Sequence, residues 1–342
     1  MSSFSQPENN NQDLLATRLE ITYLLDFAAQ EKADIQDVVD GLNQSPKFLP
    51  ARYFYDAKGS QLFEKICQLP EYYPTRTEAK ILQQYATEIV EQAKAVELIE
   101  LGSGSSTKTR YFFDAYQNSN TPLYYVPIDV SSSILQASAA NLLADYPQLK
   151  IQGQVATYSQ ALEKLSTSYL GRRMTIFLGS SIGNFNPAEC DRFITQVTSA
   201  LNPGDYFLLG IDLQKPVEVL EAAYNDSQGV TAAFNLNMLQ HLNNRFTGNF
   251  NLEQFQHRAI YNQTEHQIEM YLISKQNQTV ILEDLELTIE LAKGEKILTE
   301  ISRKFDLAKM EKYLGDRNLN LIQAYTDSQK WFGLLLCRFS QL

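Results

Sequence analysis

The chain has 342 residues, room for one large domain or two ordinary ones, and its 44% hydrophobic and 20% charged residues describe a folded protein with a core rather than a disordered chain. A formal net charge of −11 repels phosphate backbones and anionic bilayers, which argues against nucleic acid and membrane surfaces as partners, although solubility alone also accounts for it. Cys67, Cys190 and Cys337 stand far apart without a CxxC pair, and His241, His257 and His266 are scattered, so neither a disulfide framework nor a metal site is expected, and a reducing cytoplasm fits best.

Residues 1–18 open polar and rich in Asn, Gln and Ser, without the basic and apolar regions of a signal peptide, and are expected to form a flexible tail. No apolar run approaches the ~18 residues that a membrane span needs. From about Gln12 to Tyr73 the spacing is helical, with Leu14, Leu15, Leu19 and Ile21 on one side and, further on, Leu62, Phe63 and Ile66 on one face. Pro70 and Pro74 break the chain around Tyr72 and Tyr73.

From about Thr77 to Leu213 short apolar runs alternate with helical patterns. Strands are predicted at Ala95–Leu101, Leu123–Val130, Leu149–Val155, Met174–Leu178 and Asp205–Ile211, with helices between them. That alternation predicts an α/β fold, a mostly parallel sheet with helices on both faces. Between Gln214 and Lys304 a helical stretch gives way to alternating segments at His257–Tyr261, Gln267–Ile273, Thr279–Glu283 and Leu285–Leu291, read as antiparallel strands of a smaller α+β lobe. His266 and Glu269 read there as surface residues. The last stretch supplies a helix, Leu307–Leu314, and two strands, Leu319–Tyr325 and Phe332–Phe339, that complete the main sheet. The resulting division is 19–76 with 213–304 for the lobe and 77–212 with 305–342 for the sheet domain.

The segment Glu97-Leu-Ile-Glu-Leu-Gly-Ser-Gly-Ser-Ser-Thr107 runs from an apolar strand through a glycine turn into a helix. Glycine at Gly102 lets a ligand lie against bare backbone, with Ser103 beside it. The third glycine of the dinucleotide fingerprint is replaced by Thr107, which weakens a nicotinamide oxidoreductase reading, and no P-loop spacing occurs. Asp129, at the tip of the second strand, serves either as acceptor for both ribose hydroxyls or as a cap of the next helix. Lys108 is either a solvated lysine or the partner of a ligand carboxylate. After the fourth strand, Gly179-Ser-Ser-Ile-Gly-Asn184 lies at the switch point of the sheet, where Asn184 either holds a substrate or shapes a turn.

At these residues the sequence resembles the histidine Nα-methyltransferases of ergothioneine biosynthesis. The resemblance is carried by Arg52-Tyr-Phe-Tyr-Asp56, Leu69-Pro-Glu-Tyr-Tyr-Pro-Thr-Arg76, Glu100-Leu-Gly-Ser-Gly104, Gly179–Asn184, Gly229-Val-Thr-Ala-Ala-Phe-Asn235, Ile268-Glu-Met270 and Thr299-Glu-Ile-Ser-Arg-Lys-Phe305, in family order along nearly the whole chain from about Leu25. It implies a class I methyltransferase (Rossmann-like) sheet, S-adenosylmethionine as methyl donor without a metal, L-histidine as the small-molecule substrate, and a monomer. Carried over by position, Gly102, Ser103, Lys108, Asp129, Thr157 and Tyr158 look like donor ligands. Tyr55, Tyr72, Asn184, Tyr224 and Met270 look like the substrate cavity, with Tyr72 and Asn184 at the reacting amine and Glu300 and Ser302 as readers of the imidazole. Where family members carry Gly-Asp-Phe at the adenine edge this chain has Ala156-Thr-Tyr158, so a hydroxyl stands where a carboxylate is usual and donor affinity is the property affected.

Glu300 and Ser302, two residues apart on an extended segment, point the same way and offer one ring nitrogen a carboxylate and the other a hydroxyl. Without the family they read as a half-exposed strand edge. The expected reaction is attack of the neutral α-amine on the sulfonium methyl, up to three times, with Tyr72 or water taking up the amine proton. Methylation of another amino acid such as tryptophan, and a non-catalytic binding protein of the same fold, are the competing readings.

Overall fold

The computed structural model describes residues 18–95, 97–118, 123–165 and 171–340. The expected tail, apart from Arg18, lies outside them. One eight-stranded sheet runs through the molecule in the order β1 (Leu19–Tyr23), β5 (Lys150–Val155), β4 (Tyr124–Asp129), β3 (Glu97–Leu101), β6 (Arg173–Phe177), β7 (Tyr206–Asp212), β14 (Phe332–Phe339) and β13 (Leu319–Thr326). The first six are parallel, and β14 and β13 add an antiparallel end. Order third-second-first-fourth-fifth for β5 to β7 is the doubly wound arrangement, with its switch point between β3 and β6. Both faces are covered because β3, β6 and β7 are buried along their whole length. One core forms against helices α3 (Tyr73–Ala93), α4 (Arg110–Asn118) and α5 (Ser132–Asp145). The other forms against α6 (Tyr158–Lys164), α7 (Pro187–Ala200) and α10 (Leu307–Gly315).

The helical expectation for the N-terminal segment fails at Leu19–Tyr23, which forms β1 and pairs in parallel with Ile151–Val155. Five residues cannot distinguish a helical from a strand pattern, and the open edge of β5 decides it. These residues therefore join the main sheet instead of the lobe that 19–76 was expected to build. Arg18 reinforces the join by donating to the carbonyls of Tyr146 at 3.2 Å and Pro147 at 2.9 Å.

The second body contains α1 (Phe27–Asn43), α2 (Ala57–Gln68), α8 (Val217–Tyr224) and α9 (Val230–Arg245). They pack on a four-stranded sheet ordered β2 (Lys47–Phe48), β12 (Lys296–Arg303), β9 (Gln267–Ser274), β8 (Phe255–Asn262), and on the hairpin β10 (Gln278–Leu282) and β11 (Leu287–Leu291). Phe54, Phe234, Met238, Leu242, Ile268 and Leu272 are among its buried core. Glu269 corrects a second expectation. It is 9% exposed and accepts hydrogen bonds from Asn262, Gln267 and the Tyr271 hydroxyl, the last at 2.6 Å, so side chains beside it on a half-buried face shield its carboxylate.

The two bodies join where β12 ends. Phe305 N–H donates to the Asp212 carbonyl at 2.8 Å and Gln214 N–H to the Phe305 carbonyl at 3.0 Å. A Cβ on Gly183, in the turn after β6, would come within 2.9 Å of the Arg303 carbonyl, so that turn is pressed directly against β12.

Candidate active site

The glycine turn after β3 is tied down by its neighbours. The N–H groups of Gly102 and Ser103 both donate to the Ile128 carbonyl, at 2.8 and 3.1 Å. Gly102 has φ +72°, and a Cβ there would lie 2.8 Å from the Tyr158 hydroxyl. Gly104 also has positive φ, +49°, with open space beside it. Asp129 accepts from Gly104 N–H through Oδ2 and from Ser131 N–H through Oδ1, both at 2.9 Å. Ser131, not Asp129, caps α5. The carboxylate thus holds the turn and keeps further lone pairs for a diol. Bare glycine, open space and an acid at the strand tip fit a nucleoside-bearing methyl donor.

Glu100, just before the turn, supports it from beneath. It accepts from Thr109 and from Tyr125, and burial pushes its carboxyl up to about 7 against those hydrogen bonds. Lys108 pairs with fully buried Glu78, whose other oxygen accepts Gly179 N–H at 2.8 Å, so the ammonium is fixed between the two glycine turns rather than solvated. Ser103 is buried under the turn. Thr157 is used locally: its hydroxyl accepts Gln160 N–H and donates to the Gln160 side chain in a capping box that starts α6. Its remaining capacity for an adenine amino group is therefore small. Replacing Asp129 by Ala is expected to weaken S-adenosylhomocysteine binding ~10- to 100-fold, as charge-assisted bonds to the ribose and the turn are lost together; titration calorimetry measures it.

Across from the turn, an aromatic wall runs Tyr55–Phe63–Tyr72–Tyr224, with ring centroids 5.7, 6.2 and 6.1 Å apart. Phe63 is a wall residue that helical periodicity assigned only to a packed face. The wall ends at β12, where the Tyr224 hydroxyl donates to Ser302 Oγ at 2.9 Å. A bulge falls between Leu298 and Glu300; beyond it Glu300 pairs with Met270 and Ser302 with Ile268, so Glu300, Ser302 and Met270 share one face of the sheet. Met270 is 1% exposed. Glu300 is half-buried with no hydrogen-bond partner among the described residues, and burial pushes its carboxyl up to about 7, with Lys304 opposing.

Half the surface of Tyr55 is open, yet burial of its phenol, with the Glu300 carboxylate a smaller contribution, raises its pKa. Tyr158 stands over Gly102. Asn184 is exposed in the turn after β6, the one that abuts Arg303. Burial first, then Tyr224, Cys67 and Glu300, push the Tyr72 phenol well above its ordinary value, which favours water over Tyr72 of the two expected acceptors of the amine proton.

Sequence reasoning missed the charged centre behind this wall. Asp212, at the tip of β7 and 1% exposed, pairs with Lys304 at 2.9 Å and Lys215 at 2.5 Å and accepts from the Tyr73 hydroxyl at 2.8 Å. Burial raises its pKa, but the two ammonium groups outweigh this and hold it below the usual carboxylate range. The readable signal was an acid ending a wholly apolar strand, followed three residues on by a lysine. A separate groove of about 410 Å³, between Pro187, Asp191, Lys309 and Tyr313, is lined by none of the predicted site residues. Among the described residues, no cluster of three or more metal-ligating side chains occurs and no helix is long and apolar enough to cross a membrane.

Residues 34–339 match a family model described as histidine-specific methyltransferase, SAM-dependent. The chain is 42% identical over 301 residues to a histidine N-alpha-methyltransferase of Mycolicibacterium smegmatis, covering 88% of this chain and 93% of that protein. It is 40% identical over 301 residues, with the same coverage, to a histidine N-alpha-methyltransferase of Mycobacterium tuberculosis. It is also 29% identical over 243 residues to ergothioneine biosynthesis protein 1 of Schizosaccharomyces pombe, covering 68% of this chain and 31% of that protein. This match sets the nicotinamide reading aside: the chain belongs to the family of histidine-specific, S-adenosylmethionine-dependent methyltransferases.

Proposed function

We propose that the protein transfers methyl groups from S-adenosylmethionine to the α-amino nitrogen of L-histidine, three times, giving Nα,Nα,Nα-trimethylhistidine (hercynine) for ergothioneine biosynthesis. The observation that carries this reading is the wall Tyr55–Phe63–Tyr72–Tyr224 ending at Ser302 on β12, while the turn after β6 abuts Arg303 of that strand at one end and, through Glu78, is tied to Lys108 of the glycine turn at the other. In this arrangement Gly102, Asp129 and Lys108 hold the donor, Glu300 and Ser302 read the ring, and Tyr72, Asn184 and Tyr224 orient the amino acid end. The smaller body, residues 24–76 and 213–304, closes over the substrate.

In each round the ammonium first loses one proton to water; the neutral amine then attacks the sulfonium methyl in line, the N–C bond forms as the S–C bond breaks, and S-adenosylhomocysteine leaves, the third round giving a quaternary nitrogen with no proton left to lose. Orientation of two bound reactants is the chain's main contribution. Removing the proton before each transfer needs no carboxylate beside the nitrogen, which leaves the site tolerant of a quaternary product.

Incubating the protein with S-adenosylmethionine and each of the twenty amino acids, then weighing the products, tests the reading. A threefold-methylated product from histidine alone is expected; a methylated product from tryptophan in place of histidine overturns it. The pH profile follows from Glu300. With its carboxyl at about 7 and the ring of free histidine at ~6.5, both must lose a proton before the carboxylate accepts a ring N–H from a neutral imidazole. The α-ammonium must lose its proton as well, so the logarithm of kcat/KM is expected to rise with pH with a slope near one just above pH 7 and a slope approaching three below it, and Glu300→Gln to remove one of the three.

A further inference from the structure

The Lys304 ammonium is 2% exposed and has three N–H donors, each with one acceptor: Asp212 Oδ2 at 2.9 Å, Ser302 Oγ at 2.8 Å and Tyr224 Oη at 3.1 Å. Tyr224 accepts from Lys304 and passes its own proton to Ser302. Ser302 Oγ therefore receives two hydrogen bonds, which fill both lone pairs of a hydroxyl. Its remaining capability is its own O–H. Burial opposes the charge on Lys304, but Asp212 and Tyr224 outweigh it and raise its pKa, and burial raises that of Tyr224, so both remain donors across the range in which the protein is folded. Glu300, two residues away on the same face, has no donor of its own when ionised.

We propose that Lys304 is a positioning residue that fixes Ser302 as a hydrogen-bond donor towards the substrate, so that the site takes the ring as one neutral tautomer, its N–H towards Glu300 and its lone pair towards Ser302. This rests on the reading of β12 as the ring-binding strand. Specificity for an imidazole over a carbocyclic or indole ring then comes from a matched donor–acceptor pair, whose polarity is set by a charge that never touches the substrate. Asp212 anchors that charge from the tip of β7, which ties the ring reader to the sheet that carries the donor cradle.

The test titrates L-histidine, the 4- and 5-thiazolyl-L-alanines and 2-thienyl-L-alanine into the protein saturated with S-adenosylhomocysteine. None of the three analogues has a ring N–H, so the Glu300 contact is absent from all of them. The two thiazoles place a lone pair at one or the other imidazole nitrogen position, and thiophene has none. With the native protein, one thiazolyl isomer is expected to bind at least ~5-fold more tightly than the thienyl compound, the worth of about one neutral hydrogen bond. In Lys304→Met the advantage is expected to fall below ~2-fold, because Ser302 is then free to turn its proton elsewhere. General loosening of the pocket would weaken both analogues together and leave their ratio unchanged. Tyr224→Phe removes the other donor to Ser302 and is expected to shrink the ratio as well, an independent check if Lys304→Met does not fold. Thiazolyl isomers no better than thiophene, or a ratio that survives in both variants, overturns the proposal. Failure of L-histidine itself to bind overturns instead the ring-binding reading on which it rests.

Discussion

Replacing Glu300 by Ala is expected to lower kcat/KM for histidine ~30- to 150-fold while S-adenosylhomocysteine affinity stays within about twofold. The carboxylate stands on β12 opposite Met270, half-buried and without a hydrogen-bond partner among the described residues. Its burial is offset only when a ring N–H arrives, and a hydrogen bond to a charged acceptor contributes about 2–3 kcal/mol. The glycine turn and Asp129 are held by β4 and do not depend on it. Initial-rate kinetics and titration calorimetry separate the two effects. Unchanged turnover on histidine removes the substrate assignment.

Asp212→Ala is expected to be the most destabilising single substitution among the polar residues of the site, by about 3–5 kcal/mol, since it leaves Lys304 and Lys215 buried without their common counter-ion. Trp331, the one tryptophan of the chain, packs edge-on against Tyr73, which donates to Asp212, and its fluorescence reports the change during urea unfolding. A loss below about 1 kcal/mol contradicts the view that this centre joins the two bodies. Histidine binding is expected to weaken as well, because Lys304 holds Ser302 and Tyr224 from the same point.

The alternation of apolar runs with helical patterns made the sheet legible, because a parallel strand buried on both faces is mostly apolar, as β7 is up to Asp212; β3 and β6 keep an apolar centre despite Glu97, Glu100, Arg173 and Thr175. The antiparallel β14 was legible from the apolar run Phe332–Cys337. The segment Leu19–Tyr23 was not: its leucine and isoleucine suit either period, and only the unpaired edge of β5, some 130 residues on in sequence, selects a strand. Likewise Glu269 followed a polar–apolar alternation and lies on the half-buried face it predicts, but hydrogen bonds from Asn262, Gln267 and Tyr271 shield its carboxylate from solvent.

Within the site, motifs located the residues and the structure assigned their neighbours. Thr157-Tyr-Ser-Gln160 is a Thr-x-x-Gln pattern that already spells a capping box, so part of the doubt about adenine binding was readable in advance. The link from Asp212 to Lys304 spans 92 positions and could not be read locally, since Lys304 looks like an ordinary surface charge until the chain after β12 docks on the tip of β7. Tyr72 packs edge-on against Tyr224, a neighbour 152 positions away that no local pattern announces, and its environment and not its identity decides its protonation.

A structure of the protein with S-adenosylhomocysteine and L-histidine bound together tests the central claim most directly. The imidazole is expected between Glu300 and Ser302, the ribose on Asp129, and the α-amine facing the sulfur past Tyr72 and Asn184. A histidine ring lodged away from β12, or an amine turned from the sulfur, contradicts it.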